Sequence, residues 1–284
     1  MKVEKIVLNE AREVSLTAYL LDTGGEFRNI CKRPAVLILP GGGYKFCSER
    51  EADPVAMPYL KAGYQAFILR YSVGKHSVWP NALQDYEQAM EMIRTKAEEW
   101  KIFSDKIAVI GFSAGGHLAA AAATMSKNRP NAAILGYPVT GSDVKGCCAT
   151  APDTISCVDK NTCPCFIFAT RTDAVVPVMN SIRFMEALVQ ADISFESHIY
   201  SYGPHGFSTC DTSVQSGDTT ISSRVPNWVS DSIGWLKEVF GDFGNGEMTK
   251  PVCKAHVTDN DGEFLSVDCT FDYEMKKPEG WKLV

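Results

Sequence analysis

Residues 111–117, Gly-Phe-Ser-Ala-Gly-Gly-His, are the segment of this chain best suited to carry out chemistry. The apolar run 106–110 before them predicts a short buried strand, and the alanine-rich run 118–124 after them predicts a helix. A Gly-x-Ser-x-Gly turn between a strand and a helix forms a nucleophile elbow, in which the serine hydroxyl projects from a sharp turn. The two outer glycines lack a Cβ atom, so the strand and the helix can approach closely. Ser113 is therefore predicted to be a nucleophile.

A serine hydroxyl needs a neighbouring base to accept its proton. The chain has five histidines. Where this elbow occurs, the acid and the histidine follow the serine along the chain, so His76 comes too early and His117 belongs to the elbow helix itself. His198 is predicted to lie inside a strand, and His256 lies in the C-terminal segment. His205 follows that strand in a loop flanked by proline and glycine, and it is predicted to be the base.

The acid that orients this histidine is expected at the end of the preceding strand. Asp173 lies just beyond the apolar run 165–169, in a loop that leads into the next predicted helix. Its carboxylate would hold the imidazole tautomer and stabilise the imidazolium as it forms. Asp143, Asp153 and Asp159 are rivals, but they lie in an irregular stretch before that strand. Asp173 is therefore the predicted acid.

A tetrahedral oxyanion needs N–H donors that are in place before the reaction begins. Three glycines, residues 41–43, directly follow a predicted strand. This is the position of the glycine-rich oxyanion loop in proteins that carry such an elbow. The predicted donors are the N–H groups of Gly42 and Gly43, together with that of Ala114, which follows the nucleophile.

Strands and helices alternate along most of the chain, which predicts an α/β fold with a mostly parallel sheet and helices on both faces. The predicted strands are residues 3–8, 13–21, 33–39, 65–71, 106–110, 131–137, 165–169 and 194–200. The predicted helices are residues 50–62, 81–100, 118–124, 178–190 and 226–240. The first two strands alternate in polarity and are expected to pair antiparallel.

The C-terminal segment differs from the rest of the chain. We predict a main domain over residues 1–243 and a β-like extension over residues 244–284. Two β-like runs in this extension flank Asp259–Gly262, which has the composition of a hairpin turn. The extension is too short to enclose a core of its own. We expect it to dock on the main domain or to contact a second copy of the chain, which would make the protein a homo-oligomer.

Composition excludes several classes of partner. Apolar residues make up 45% of the chain and charged residues 22%, which is typical of a soluble globular protein. The net charge of −6 argues against nucleic acid and against an anionic membrane surface, since both require a basic face. No signal peptide and no run as long as a membrane span are visible. We therefore expect a cytoplasmic location.

The chain has ten cysteines, which we expect to be reduced thiols in that compartment. A cluster of five within residues 147–165 invites a zinc interpretation. Its spacings are not those of paired Cys-x-x-Cys knuckles, and no histidine lies among them. Cys163 and Cys165 flank a proline at the start of a predicted strand, where cysteine serves as a small apolar residue. No metal is therefore expected.

These motifs together resemble the esterase and acetylesterase branch of the α/β-hydrolase superfamily, related to hormone-sensitive-lipase-like and xylan-esterase-like proteins. The resemblance covers about residues 35–240. It rests on residues 40–44 (Pro-Gly-Gly-Gly-Tyr), 69–72 (Leu-Arg-Tyr-Ser), 79–85 (Trp-Pro-Asn-Ala-Leu-Gln-Asp), the elbow, the Asp173 loop and residues 204–207 (Pro-His-Gly-Phe). It implies the α/β-hydrolase fold, cleavage of short acyl esters, often acetyl groups on sugars, and no cofactor.

Two departures from this resemblance affect the predicted site. Pro40 stands where a histidine often precedes the three glycines, so we expect the oxyanion loop to be braced differently. The stretch 140–162 is shorter than the lid-bearing insertion of many relatives. A short lid favours an open pocket, which suits a bulky acetylated saccharide better than a long acyl chain.

The leading hypothesis is a serine esterase that removes acetyl groups from carbohydrates or small esters. Tyr44 and Trp79 are predicted to line its pocket, with core packing as the alternative for such aromatic residues. A peptidase or amidase of the prolyl-peptidase type shares the elbow and the order of the catalytic residues, but its gating domain is missing here. A non-catalytic binding protein on a hydrolase fold is a third possibility, because a fold does not guarantee chemistry.

Overall fold

The computed structural model describes residues 1–215 and 220–241, together with two strands of the C-terminal segment, Lys254–Val257 and Phe264–Asp268. One eight-stranded sheet forms the centre of the first of these ranges. Its strands are β1 (Lys2–Asn9), β2 (Val14–Leu20), β3 (Arg33–Leu39), β4 (Gln65–Arg70), β5 (Ile102–Phe112), β6 (Ala132–Gly136), β7 (Cys165–Thr170) and β8 (Phe195–Tyr200).

The sheet has the strand order β1-β2-β4-β3-β5-β6-β7-β8. β1 pairs antiparallel with β2, and β2 pairs antiparallel with β4. All pairs from β4 to β8 are parallel. The predicted mostly parallel sheet, with an antiparallel pair at the start of the chain, is confirmed.

Helices cover both faces of this sheet. They are α1 (Asp53–Lys61), α2 (Asn81–Thr95), α3 (Ala114–Thr124), α4 (Met179–Gln190) and α5 (Asn227–Phe240). Side chains of α2, α3 and α4 contribute to one hydrophobic core, and side chains of α1 and α5 contribute to the other. Along β3, Leu37 and Leu39 belong to the first core and Val36 and Ile38 to the second. Since successive residues of a strand point to opposite faces, a continuous apolar run such as this one serves both cores.

Several boundaries differ from the prediction, and two of them lie between α2 and β5. The helix predicted to reach Trp100 ends at Thr95, and β5 begins at Ile102, four residues before the predicted start. Trp100 is still buried in the first core, at 3% exposure. Its apolar side chain therefore indicated burial correctly, although the residue is not helical. Ile102 pairs with Arg33 of β3 before a shift in register, which extends the strand beyond its continuous apolar run.

Parallel pairing places the carboxyl ends of β3, β5, β7 and β8 at the same edge of the sheet. The segments that follow these four strands carry residues 41–43, Ser113, Asp173 and His205, respectively. Side chains far apart in the sequence therefore meet at the edge where α/β folds bind their ligands.

The two C-terminal strands, β9 (Lys254–Val257) and β10 (Phe264–Asp268), pair antiparallel in a sheet of their own. The predicted turn Asp259–Gly262 lies outside the described residues. The boundary predicted at residue 244 also lies outside them, and the docking of the extension on the main domain stays a prediction.

No helix in residues 1–215 or 220–241 combines the length and the apolar character needed to cross a membrane. Across the same ranges, no group of three or more His, Cys, Asp or Glu side chains is arranged to hold a metal ion.

The eight cysteines in these ranges are free thiols, and Cys148, Cys163 and Cys165 are buried in the first core. Free thiols do not identify the compartment, so the cytoplasmic location stays a prediction.

Candidate active site

Ser113 lies in the turn between β5 and α3, with a backbone φ of 53° and ψ of −116°. A positive φ is strained for a residue that carries a Cβ atom. The turn is also tight. A Cβ atom on Gly111 would lie 2.2 Å from the carbonyl oxygen of Gly115, and one on Gly115 would lie 2.1 Å from that of Leu39. Close approach of the strand and the helix thus requires glycine at both positions.

The three predicted side chains meet at this turn. The Nε2 atom of His205 lies 2.8 Å from the Oγ atom of Ser113, and its Nδ1 atom lies 2.6 Å from Oδ2 of Asp173. The Asp173 side chain is 1% exposed, and its Oδ1 atom accepts N–H bonds from Val175 and Val176. A carboxylate in this place holds the imidazole with its proton on Nδ1, so that Nε2 can accept a proton from Ser113.

The loop of the acid and the loop of the histidine are joined directly. The N–H group of Gly203 donates to Oγ1 of Thr172 at 2.9 Å, and Oγ1 of Thr170 donates to the carbonyl oxygen of Gly203 at 2.9 Å. Gly203 has a φ of 155°, and a Cβ atom there would lie 2.7 Å from Cγ1 of Ile221. These contacts fix where the histidine loop leaves β8, and with it the position of the imidazole.

The rival acids have other partners. The carboxylate of Asp143 accepts a hydrogen bond from the side chain of Asn180, and that of Asp153 caps its own turn. Asp159 forms an ion pair with Arg129, which lowers the pKa of Asp159 to about 2. Of these four carboxylates, Asp173 is the one that lies within hydrogen-bond distance of His205.

The remaining histidines lie elsewhere. His76 ends a short 3₁₀ turn, Gly74–His76. His198 lies in β8, as predicted, with Nε2 3.0 Å from the Glu196 carboxylate. His256 lies in β9, and the position of its side chain is outside the described residues.

The glycine loop after β3 turns with positive φ angles of 124° at Gly42 and 61° at Gly43. In the described part of the chain, the N–H groups of these two glycines donate to no protein acceptor. Ala114 begins α3, and the first N–H groups of a helix have no partner within the helix. A Cβ atom on Gly41 would lie 3.1 Å from Cβ of Ser113, so the loop runs directly beside Ser113.

Comparison with known proteins identifies the superfamily of this chain. The family model BD-FAE matches residues 28–137. The crystal structure of MGS-M1, an α/β-hydrolase enzyme from a Medee basin deep-sea metagenome library, is 44% identical in sequence, with a TM-score of 0.79. The match covers 84% of this chain and 98% of MGS-M1. The chain belongs to the α/β-hydrolase superfamily.

Within the α/β-hydrolase superfamily, the chain is similar to esterases. An acetylxylan esterase of Xylanibacter ruminicola is 31% identical over 216 residues, which cover 66% of this chain and 45% of that protein. Endo-1,4-beta-xylanase B of Butyrivibrio fibrisolvens is 32% identical over 217 residues, which cover 66% of this chain and 34% of that protein. The chain thus spans less than half the length of these two relatives. The resemblance to the esterases of the superfamily is confirmed.

The structure corrects the assignment of Tyr44 to the substrate pocket. Tyr44 is 1% exposed, and its ring packs edge-to-face against Tyr71 and His117. Tyr44 is the last residue of the glycine turn, with a φ of 57°, and its side chain lies in the core. Trp79 is half-buried, with its ring edge-to-face to His117 at 5.5 Å, and its role in the pocket stays a prediction.

His117, in the first turn of this α/β-hydrolase elbow helix, is completely buried. Its Nε2 atom lies 2.9 Å from the carbonyl oxygen of Pro152, so Nε2 must donate. Its Nδ1 atom, 2.7 Å from the hydroxyl of Tyr44, therefore accepts. Burial lowers the pKa of His117 from 6.5 to about 4, although the Pro152 carbonyl opposes this shift. A neutral imidazole thus joins the elbow helix to the glycine loop and to the stretch 140–162.

This buried imidazole predicts a dependence of stability on pH. The unfolded chain takes up a proton at His117 below about pH 6.5, whereas the folded chain does so only near pH 4, so the free energy of unfolding must fall between these values. We expect a loss of about 3 kcal/mol from this group. Urea unfolding between about pH 7 and pH 4 measures it in wild type and in His117→Gln, which does not titrate. Equal pH dependence of the two proteins would contradict a buried neutral histidine.

A polar cleft of about 240 Å³ opens after β6, between the stretch 140–162 and the start of α4. Asp143, Asp153, Asn180 and Arg183 contribute to its lining. Val139, just before this stretch, donates its N–H group to the carbonyl oxygen of Ser113 at 3.3 Å. Gly141, in the lining of the cleft, thus lies two residues along the chain from a residue that is bonded to the elbow.

Proposed function

We propose that this protein is a serine carboxylic-ester hydrolase that removes acetyl groups from carbohydrates or small esters through an acyl-enzyme. The observation that carries the proposal is the line of contacts from Ser113 through His205 to Asp173, at 2.8 Å and 2.6 Å. Nucleophile, base and orienting acid within hydrogen-bond reach are the arrangement that activates a serine hydroxyl.

The first half of the reaction would form the acyl-enzyme. The Oγ atom of Ser113 attacks the ester carbonyl carbon while Nε2 of His205 takes the hydroxyl proton. The carbonyl oxygen becomes an oxyanion, and the N–H groups of Gly42, Gly43 and Ala114 stabilise it. Each well-placed donor of this kind contributes about 3 kcal/mol to the stabilisation of the transition state. When the intermediate collapses, the bond to the alcohol breaks and His205 returns its proton to the leaving oxygen.

The second half would release the acid. A water molecule loses its proton to His205 and attacks the acyl carbon, and the bond to Ser113 then breaks as the proton returns to Oγ. Asp173 remains ionised throughout and stabilises the imidazolium in both halves. The free N–H groups of the glycine loop support this role, because donors already bonded to protein acceptors could not serve the oxyanion.

Two observations support a carbohydrate as the alcohol part of the substrate. One is the similarity to the acetylxylan esterase of Xylanibacter ruminicola. The other is the cleft beside the stretch 140–162, whose carboxylate, amide and guanidinium groups suit a hydroxyl-rich ligand better than a long acyl chain.

A substrate panel with a covalent probe tests the proposal. A fluorophosphonate should label wild type at Ser113 and leave Ser113→Ala unlabelled. Acetylated xylo-oligosaccharides, manno-oligosaccharides and p-nitrophenyl acetate should be hydrolysed with kcat/KM values at least about tenfold above those of aminoacyl amides. Faster cleavage of the amides would favour the peptidase. If the protein is not labelled and hydrolyses none of these substrates, a binding protein is favoured.

A further inference from the structure

Glu51 is a buried carboxylate that the reaction described above does not use. It ends the short 3₁₀ turn Glu49–Glu51 before α1 and is 3% exposed. Among the described residues, no Lys or Arg side chain forms an ion pair with it. Burial of a charge is costly unless hydrogen bonds compensate for it. The partners of Glu51 should therefore indicate what its charge does.

One oxygen of Glu51 binds the oxyanion loop. Its Oε2 atom accepts the N–H group of Gly41 at 2.8 Å. Gly41 is also the residue whose Cβ atom, if present, would lie 2.7 Å from this oxygen and 3.1 Å from Cβ of Ser113. Glu51 thus fixes the loop at its closest approach to the nucleophile, next to Gly42 and Gly43. This is the different bracing that Pro40, in place of the usual histidine, led us to expect.

The other oxygen binds the histidine loop through a tyrosine. The Oε1 atom of Glu51 accepts the hydroxyl of Tyr137 at 2.6 Å, and the same hydroxyl accepts the N–H group of Ser208 at 3.0 Å. Ser208 in turn donates its own hydroxyl to the carbonyl oxygen of Arg50 at 2.5 Å. The ring of Tyr137 lies edge-to-face to that of His205, with centroids 5.0 Å apart. The position of the imidazole therefore depends on this chain of contacts.

We propose that Glu51 and Tyr137 are positioning residues that hold the oxyanion loop and the His205 loop in register on either side of Ser113. The inference rests on the proposed function, because it assigns these residues to the same transition state. Two donors from different loops reach the two oxygens of one carboxylate, whereas an amide in its place would offer one oxygen only. Burial raises the pKa of Glu51, and the bonds from Tyr137 and Gly41 oppose that rise, so both partners favour the ionised form.

Steady-state kinetics of Glu51→Gln and Tyr137→Phe test this inference. The amide of Glu51→Gln must turn its NH₂ group towards either Gly41 or Tyr137, so one donor loses its acceptor. We expect about a 100-fold loss of kcat for this variant and about a tenfold loss for Tyr137→Phe, with KM changed less than about twofold. The double variant should lose less than the product of the two single losses, because the two residues share one hydrogen bond.

Tyr59→Phe is the matched control. It removes a buried hydroxyl whose partner, Oγ of Ser232 at 2.7 Å, lies in α5 away from the site. This variant should lose stability as Tyr137→Phe does but keep the kcat of wild type. If Tyr137→Phe also keeps that kcat, its hydroxyl has only a structural role and the inference fails while the proposed function stands. If wild type does not hydrolyse esters, both fail.

Discussion

Replacement of Ser113 by alanine is expected to lower kcat for p-nitrophenyl acetate by about 10⁶-fold, to a level set by the remaining oxyanion donors and substrate binding. The reason is geometric. Within the described residues, Oγ of Ser113 is the only hydrogen-bond partner of His205 Nε2, at 2.8 Å, so no other side chain is placed to attack the carbonyl with this base. KM should change little, because the hydroxyl acts in the transition state. Turnover by purified protein in a stopped or continuous assay measures the loss.

The fold of this variant should remain intact, because the backbone of Ser113 is held without its side chain. Its N–H group donates to Gly136, and its carbonyl oxygen accepts from His117 and Val139. Ser113→Gly is a second inactive variant, and it should be more stable than Ser113→Ala by up to about 1 kcal/mol, because glycine tolerates a φ of 53°. Retained turnover in either variant would rule out Ser113 as the nucleophile.

The sequence alone predicted the parts of the site that follow strand ends. Ser113 and Asp173 each lie just beyond an apolar run, and His205 lies in the loop after β8. The chain order of such sites distinguishes these residues from their rivals. The parallel sheet then makes them meet, because parallel strands end at the same edge. Local pattern and topology therefore suffice to predict that these three side chains and the glycine loop lie together at one edge of the sheet.

The second layer of the site could not be predicted in this way. Glu51 and Tyr137 are 86 residues apart in the sequence, and Tyr44 and His117 are 73 apart. No periodicity links such pairs, since their contact depends on how two loops pack above the sheet. Tyr44 was misassigned for the same reason, because an aromatic residue after a glycine turn has the same sequence pattern whether it faces the pocket or the core. A buried hydrogen bond distinguishes the two cases.

Asp173→Asn is expected to lower kcat by about 10⁴-fold and to leave the fold intact. Two N–H groups, of Val175 and Val176, bind Oδ1 of Asp173, so the amide oxygen of asparagine should occupy that position. Its NH₂ group must then face Nδ1 of His205, where it donates. Nδ1 becomes an acceptor, and the ring proton moves to Nε2. An Nε2–H group cannot take the proton of Ser113.

Comparison of Asp173→Asn with Asp173→Ala distinguishes an effect on the His205 tautomer from the simple loss of the contact between residues 173 and 205. Asp173→Ala removes the same contact but imposes no tautomer, and it also leaves two buried N–H groups without an acceptor. It should therefore be less stable than Asp173→Asn and at least as active. Thermal unfolding measures the first difference, and kcat for p-nitrophenyl acetate measures the second. An Asp173→Asn variant with nearly wild-type kcat would show that the carboxylate does not orient the base, and Asp173 would then be a loop-capping residue.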